Sequence, residues 1–322
     1  MAQELLIGID GGGTHSAGVA VWPDGRIAAS ASGGGLNFHN DGVDAVRRRL
    51  ENLVRELLAK AGASSARVCI GLSALDGPAD PETLALFTSD LLPPGSLFLE
   101  SDAYAALLGC TRGGPGMIVI CGTGSMILLL DSAGRQQVSG GWGYLLGDAG
   151  SGYTLAREAL LAVIAEADGV GPATRLTPRA LTFFGVSAPR QLIDRIYAPG
   201  FSPDQLAAFA RCVTEEAALG EPAAADILKR NMQRLAALAA RQLRQAPEIH
   251  TVGLYGGIFA HSPAARSAFE SALRAAVPDA DIRDPEFPPE IGAVLHLLRQ
   301  EGPPDPAVLA RLKASSQRRI NP

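Results

Sequence analysis

Two short runs of glycine and hydroxyl residues, Asp10-Gly11-Gly12-Gly13-Thr14 and Gly122-Thr123-Gly124-Ser125, carry the most legible chemistry in this sequence. Each interrupts apolar segments: LLIGI (5–9) and AGVAVW (17–22) flank the first, GMIVIC (116–121) and MILLLD (126–131) the second. Glycines let several backbone N–H groups point at one spot, because no Cβ blocks the approach, so each run can form an anion-binding nest. The hydroxyls of Thr14, Thr123 and Ser125 add further donors. Neither run is a P-loop, since GxxxxGK[ST] is absent and the three lysines (Lys60, Lys229, Lys313) stand beside no glycine run. Neither reads as a Rossmann turn, which would open a helix, whereas residues after Thr14 read as a strand. With no lysine to offset phosphate charge, a divalent cation is the natural complement, and Asp10 is placed to orient it. Two such hairpins in matching halves would clamp a polyphosphate.

Ordinary structural readings stand beside these. Asp-Gly is a common hairpin signal, so Asp10 alone could be a turn residue. Asp102, at the end of the strand-like SLFLESD and before an apolar helix, reads by itself more readily as an N-cap than as a base, and only its place between the two hairpins reverses that. Asn37 lies in a polar loop, Asp148 could cap a helix starting near Tyr153, and Gly256 and Gly257 could form a plain turn. Trp142 lies among Gly140, Gly141 and Gly143, which excludes a regular packed helix there.

The elements that must position these residues follow from periodicity. Val43, Val46, Leu50, Leu53, Val54, Leu57 and Leu58 recur at helical spacing and predict an amphipathic helix over 43–61. RVCIGLSAL and SLFLESD read as strands. The pattern strand, glycine turn, strand, glycine turn, strand occurs twice, which predicts two related α/β halves. Helices are predicted from Tyr153 through the following alanine-rich stretch, over 204–219, over 222–245 and over IGAVLHLLRQ. HTVGLYGGIFAHSP reads as a strand, a Gly-Gly turn and a helix start. His250, His261 and His296 show no ligand spacing and read as surface or packing residues.

The chain has 322 residues, 47% of them hydrophobic, and a net charge of -5, which suggests about two domains and excludes a basic nucleic-acid-binding face. Four separated cysteines lack the spacing of a zinc site or disulfide framework and fit a reducing cytosol. No apolar run is long enough to span a bilayer, so no membrane partner is expected and a cytoplasmic location is.

GIDGGGTHS (8–16), LESDAYAALLG (99–109), IVICGTGSM (118–126) and GGWGYLLGDAGSG (140–152) together resemble the signature segments of the N-acetylglucosamine kinase family. That family is of the BadF/BadG/BcrA/BcrD type within the sugar kinase, Hsp70 and actin superfamily. GLYGGIFAHSP (253–263) resembles the superfamily's adenosine-contacting segment, and the motifs run in family order from residue 5 to about 296. The resemblance implies an α/β fold of two actin-like (ribonuclease H-like) lobes, with mixed sheets flanked by helices and an ATP/sugar cleft between them. It implies lobes at 1–112 and 113–288, a helix near 289–300 returning to the first, and a peripheral tail over 301–322. It implies ATP-dependent phosphorylation of an amino sugar at its 6-hydroxyl, N-acetylglucosamine first, with ATP and Mg2+ as cofactors.

Carried over by position, Asp10 would organise magnesium and Asp102 would be the catalytic base. Gly11, Gly12, Gly13 and Thr14 would form the first phosphate loop, and Gly122, Thr123, Gly124 and Ser125 the second. Gly256 and Gly257 would turn against the adenosine. Asn37, Ser139, Trp142, Gly143 and Asp148 would line the sugar pocket, Trp142 as an aromatic wall. The chain departs from the pattern at His15, where related loops carry arginine or lysine, and at Ser139, where some relatives carry cysteine near the acyl group. Competing expectations are a glucosamine or N-acetylmuramic acid kinase, an ATPase activator of a 2-hydroxyacyl-CoA dehydratase, and a non-catalytic sugar sensor. The activator would need cysteine ligands for an iron–sulfur cluster, and no convincing pair is present. The zinc-bearing repressor branch would need a cysteine cluster that is missing. The alanine-rich helices suit a homodimer face.

Overall fold

The computed structural model describes residues 4–88, 91–300 and 302–320, with side chains through residue 317. Residues 301, 321 and 322 of the expected tail lie outside the described residues. Internal contacts gather the chain into two units. One comprises the residues up to Ile118, Ser132–Gln136 and the residues from Arg283 onward; the other comprises Val119–Asp131 and Gln137–Ile282.

The first unit opens with β1 (Leu5–Gly11), β2 (His15–Val21) and β3 (Ile27–Gly34). Helices α1 (Phe38–Asp41) and α2 (Val43–Ala61) follow, then β4 (Ala66–Leu72), α3 (Pro81–Ala85), β5 (Leu97–Ser101) and α4 (Asp102–Thr111). The sheet order is β3-β2-β1-β4-β5, antiparallel across β3, β2 and β1 and parallel across β1, β4 and β5. Helix α2 spans the predicted 43–61 and buries Val46, Leu50, Leu53, Val54, Leu57 and Leu58 against the sheet. Each such leucine contributes about 2 kcal/mol through the apolar area it withdraws from water. Gly62, at φ 66, ends the helix with its N–H turned back onto its last carbonyls.

The second unit contains β6 (Gly116–Cys121), β7 (Ser125–Leu130) and β8 (Gln136–Gly140), whose outer ends overlap the first. Then come α5 (Gly152–Ala167), α6 (Leu176–Phe184), a 3-10 turn at Pro189–Gln191, α7 (Leu192–Ile196), α8 (Pro203–Ala207), α9 (Ala210–Ala218) and α10 (Pro222–Gln245). The unit closes with β9 (Thr251–Tyr255), α11 (Gly257–His261), α12 (Pro263–Ala276) and β10 (Asp281–Arg283). Its sheet order, β10-β9-β6-β7-β8, repeats the first: the first three strands lie side by side and the last two join on the other edge of the first strand. The repeat legible in the sequence is therefore a repeat of topology.

One expected helix is corrected. Residues 204–219 are not continuous: α8 ends at Ala207, and buried Phe209 is the N-cap of α9. Anchoring that ring among Phe183 and Phe184 turns the chain where alanine-rich composition gave no stop signal.

After β10 the chain forms α13 (Pro289–Arg299) and α14 (Pro306–Ile320) in the first unit. Helix α13 packs on α4, β1 and β4. The approach leaves no room for side chains: a Cβ on Gly8 would stand 2.0 Å from Glu290 O, and one on Gly292 1.8 Å from Ala105 O. Glycine at these two positions thus sets the spacing of the strand and two helices that frame the first chemical site. Helix α14 docks on the β2–β3 turn, with Leu312 buried and Arg311 Nε donating to Asp24 O at 2.6 Å. Among the described residues, no helix is long and apolar enough to cross a membrane.

Candidate active site

The expected site residues divide between the two units. In the first, the β1–β2 turn holds its carbonyls and leaves its amides open: Ser73 N donates to Gly11 O at 3.1 Å and Leu36 N to Gly12 O at 2.9 Å. Among the described residues, no turn or capping bond engages the amides of Gly12, Gly13 and Thr14. That is the geometry an anion nest needs. Gly35 permits the close return of the chain, since a Cβ there would meet Gly13 O at 2.2 Å. His15 Nδ1 lies 3.0 Å from Thr14 Oγ1. A ring at this position takes up the threonine hydroxyl, which an arginine or lysine would leave to the ligand.

Asp102 is the first residue of α4, and the helix is capped by Ser101, whose Oγ accepts from Tyr104 N at 3.2 Å. Asp102 is therefore relieved of the capping role, and its carboxylate accepts from local backbone, Ala103 N at 2.7 Å. Burial raises its pKa above the ordinary carboxylate range, against these local bonds. Asp10 is the penultimate residue of β1 and is pushed up to about 7, first by burial and then by the charges of Asp102 and Glu290. Glu290, buried in the first turn of α13, was not legible as a site residue. An acid in a first helical turn is ordinary, because it complements the helix dipole, so nothing in the sequence singled it out.

A buried carboxyl whose proton affinity is raised by two neighbouring acids marks a place where a cation would be stabilised. Yet no group of three or more His, Cys, Asp or Glu side chains is arranged to ligate a metal among the described residues. The residues fit a cation that brings most of its own ligands, as phosphate oxygens and water, and is oriented by Asp10. Asn37 lies in the same unit, but its Oδ1 caps α1, accepting from His39 N and Asn40 N at 3.1 and 3.3 Å.

Around Tyr104 on α4 lies a largely buried polar cluster that the sequence did not reveal. Glu100 accepts from Gln136 Nε2 at 3.2 Å, Arg299 Nη1 donates to Tyr104 Oη at 3.1 Å, and His296 Nδ1 lies 3.4 Å from Tyr104 Oη. Burial lifts Glu100 to about 7, against the pull of Gln136 and Arg299, and lowers His296 to about 4. A carboxyl held above its ordinary 4.5 keeps its proton longer in the folded chain than in the unfolded one. Its contribution to stability is thus fully present below about 4.5 and lost as pH rises to about 7. Glu100→Gln keeps an acceptor for Gln136 without the buried charge. Its melting temperature should exceed the parent's at about pH 8 and match it at about pH 4.5; a lower value at both pH values would contradict this reading.

In the second unit, the turn at Gly122–Gly124 is fixed to the start of α5. Gly152 N donates to Gly122 O at 2.7 Å and Tyr153 N to Thr123 O at 3.1 Å. Ser125 Oγ donates to Ala149 O at 2.8 Å, and buried Asn231 on α10 accepts from Gly150 N at 3.3 Å. Asn231 is a brace with no sequence signal, being a polar residue inside a helical run. Asp148 has φ 61, an uncommon conformation for a residue with a side chain. Its carboxylate accepts from the backbone of Ser125 and Gly143, yet burial still raises its pKa. Its Oδ1 is buried without a partner among the described residues. Such an orphan acceptor costs about 1–3 kcal/mol unless a ligand donates to it.

Ser125, Gly140, Trp142 and Asp148 share a groove of about 250 Å3. Trp142 is 73% exposed, and Tyr144, Leu145 and Leu146 are exposed beside it. Glycines at φ 75, 69 and 79 (residues 140, 141 and 143) shape this loop. Ser139 is half-buried on β8, and neither it nor Gly143 lines the groove. Gly122, Thr123 and Gly257 share a second groove of about 440 Å3. Gly256, at φ 103, allows the end of β9 to press on β6, where a Cβ would stand 2.5 Å from Cys121 O. The expected helix cap at Asp148 is corrected: Ser151 caps α5, its Oγ accepting from Thr154 N at 3.1 Å.

A family model described as the BadF/BadG/BcrA/BcrD ATPase family matches residues 7–296. An N-acetyl-D-glucosamine kinase of Dictyostelium discoideum is 32% identical over 234 residues, covering 69% of this chain and 73% of that protein. An N-acetylmuramic acid/N-acetylglucosamine kinase of Clostridium acetobutylicum is 31% identical over 236 residues, covering 72% and 77%. A solved structure of an N-acetylglucosamine kinase candidate from Chromobacterium violaceum superposes with a TM-score of 0.71 at 28% identity, covering 92% of this chain and all of that one.

Proposed function

This chain belongs to the BadF/BadG/BcrA/BcrD ATPase family, and we propose that it transfers the terminal phosphoryl group of ATP to the 6-hydroxyl of an amino sugar. N-acetylglucosamine is the first substrate in this reading. N-acetylmuramic acid is second, because the Clostridium acetobutylicum relative is named for both. The observation that carries the reading is Asp102, a half-buried acid freed from capping by Ser101 and set beside Asp10 in one unit.

Phosphoryl transfer asks the protein mainly for positioning and for charge stabilisation. Asp102 accepts the proton of the 6-hydroxyl as that oxygen attacks the γ-phosphorus, and its raised proton affinity favours that acceptance. The open amides of Gly12, Gly13 and Thr14 donate to phosphate oxygens where negative charge spreads, and in the second unit the Thr123 hydroxyl is a further donor. Asp148 Oδ1 accepts from a sugar hydroxyl, and the Trp142 ring covers an apolar sugar face. Magnesium held through Asp10, with Glu290 adding negative potential, would supply positive charge against the phosphates.

The position of transfer has its own test. Phosphorus–proton coupling in the isolated product should place the phosphate on the C6 methylene, and 6-deoxy-N-acetylglucosamine should give no product. Phosphate at C1 or C3 would overturn this assignment.

A further inference from the structure

Helix α5 presents apolar residues on two sides. Leu155, Ala156, Ala159 and Val163 are buried within the second unit. Tyr153, Arg157, Leu161 and Ile164 recur at three- and four-residue spacing and make a second face. The 3-10 turn and α7 stand against that face, and a pocket of about 290 Å3 lies between, with buried Leu160 and Leu192 beneath it. Its apolar walls are not closed: Leu161, Ile164 and Ile193 are 49%, 45% and 50% exposed. Toward the start of α5 the pocket meets the Tyr153 ring, which the Tyr144 ring backs at a centroid distance of 4.8 Å. The pocket shares no lining residue with the grooves at Gly122–Thr123 and at Trp142.

Two guanidiniums line this pocket, Arg157 on α5 and Arg190 in the 3-10 turn. Both residues are exposed, and among the described residues neither side chain makes an ion pair or a hydrogen bond. Their neighbours on α10 are occupied, since Arg230 and Arg234 both pair with Glu158. One acid also lines the pocket, Asp168, but it stands three turns from Arg157, about 16 Å along the helix axis. The pocket therefore joins an apolar body to an unneutralised positive end. Sites for small molecules have this make-up, mostly apolar walls with a few placed polar groups. A partner helix would ask for a longer apolar groove.

We propose that this pocket is a second ligand site of the chain, and that it takes a small molecule with a flat apolar body and a single carboxylate, sulfonate or phosphate head. The body packs against Leu161, Ile164 and Ile193, with Tyr153 as an aromatic wall. The head accepts hydrogen bonds from Arg157 and Arg190, whose planar donors match an oxyanion. The site stands whether or not the chain is a kinase. The sequence predicted a helix from Tyr153 and assigned its second face no role.

The test titrates the parent, Arg157→Ala, Arg190→Ala and the double variant with anilinonaphthalene sulfonate and with phenylnaphthylamine, its uncharged counterpart. The parent should bind the sulfonate roughly twentyfold more tightly than the neutral probe, and each single substitution should weaken the sulfonate roughly fivefold. The double variant should bind both probes alike, and melting temperatures should not change. Ile164→Asp, which sets an acid against the apolar body, should weaken both probes. Equal parent affinity for the two probes would overturn the proposal, as would sulfonate binding indifferent to both arginines. Displacement of the probe by ATP or N-acetylglucosamine would also overturn it, by placing the probe in the grooves already described. Loss of binding in Leu146→Ser would do the same, by placing the probe on the exposed loop. If a second copy of the chain covers the pocket instead, the probe bound per protomer falls as protein concentration rises, and that result too would overturn the proposal.

Discussion

Asp102→Asn should lower turnover by roughly a hundredfold or more while amino sugar binding changes little. The substitution keeps an oxygen for Ala103 N, and Ser101 still caps α4, so the helix start survives. What disappears is the group that takes the proton of the attacking hydroxyl. One source of repulsion on Asp10 disappears with it, so the folded state should be no less stable than the parent. Steady-state kinetics with titration of the sugar separate the two effects. Turnover within a few-fold of the parent would remove Asp102 from the chemistry, and a parallel loss of sugar binding would make it a substrate-positioning residue.

Gly292→Ala should destabilise the first unit by about 3 kcal/mol, a large effect for one methyl group. Its Cβ would stand 1.8 Å from Ala105 O, 2.8 Å from Ala105 C and 2.9 Å from Gly109 N, all backbone atoms. No side-chain rotation relieves such a contact, so α13 and α4 must separate. Separation also disturbs the Glu290 backbone against Gly8, and the Phe287 backbone against Gly109, where a Cβ would lie 2.4 Å away. Because Asp102 starts one helix and Glu290 lies in the first turn of the other, activity should fall together with stability. Chemical denaturation monitors the first and sugar-dependent ADP release the second. A parent-like denaturation midpoint would show that the two helices are not held at this spacing.

The chemistry that lives on turns was legible, because glycine turns between apolar strands announce themselves. The β1–β2 and β6–β7 hairpins fall where Gly11–Thr14 and Gly122–Ser125 predicted, and the second strand set repeats the first in order. The 43–61 helix was legible to the residue, since its apolar stripe is regular and Gly62 stops it. What escaped were groups whose partners are distant in sequence. Glu100 meets Gln136, Asn231 meets Gly150, and Glu290 meets Asp10 only after folding. The division of caps between neighbours was equally hidden. Asp102 and Ser101 are both good N-caps in isolation, and only the backbone decides that serine takes the role. The break between α8 and α9 was invisible because alanine-rich sequence continues across it.

The reading as a whole turns on whether ATP consumption waits for a sugar. ADP release should be measured with ATP and magnesium, first without sugar and then with N-acetylglucosamine, N-acetylmuramic acid, glucosamine and glucose. A rate near zero without sugar that rises sharply with an N-acetylated amino sugar is the predicted result. A sugar-independent rate would instead support an ATPase activator, and sugar binding without turnover would support a sensor; either would contradict the assignment of this chain as an amino sugar kinase.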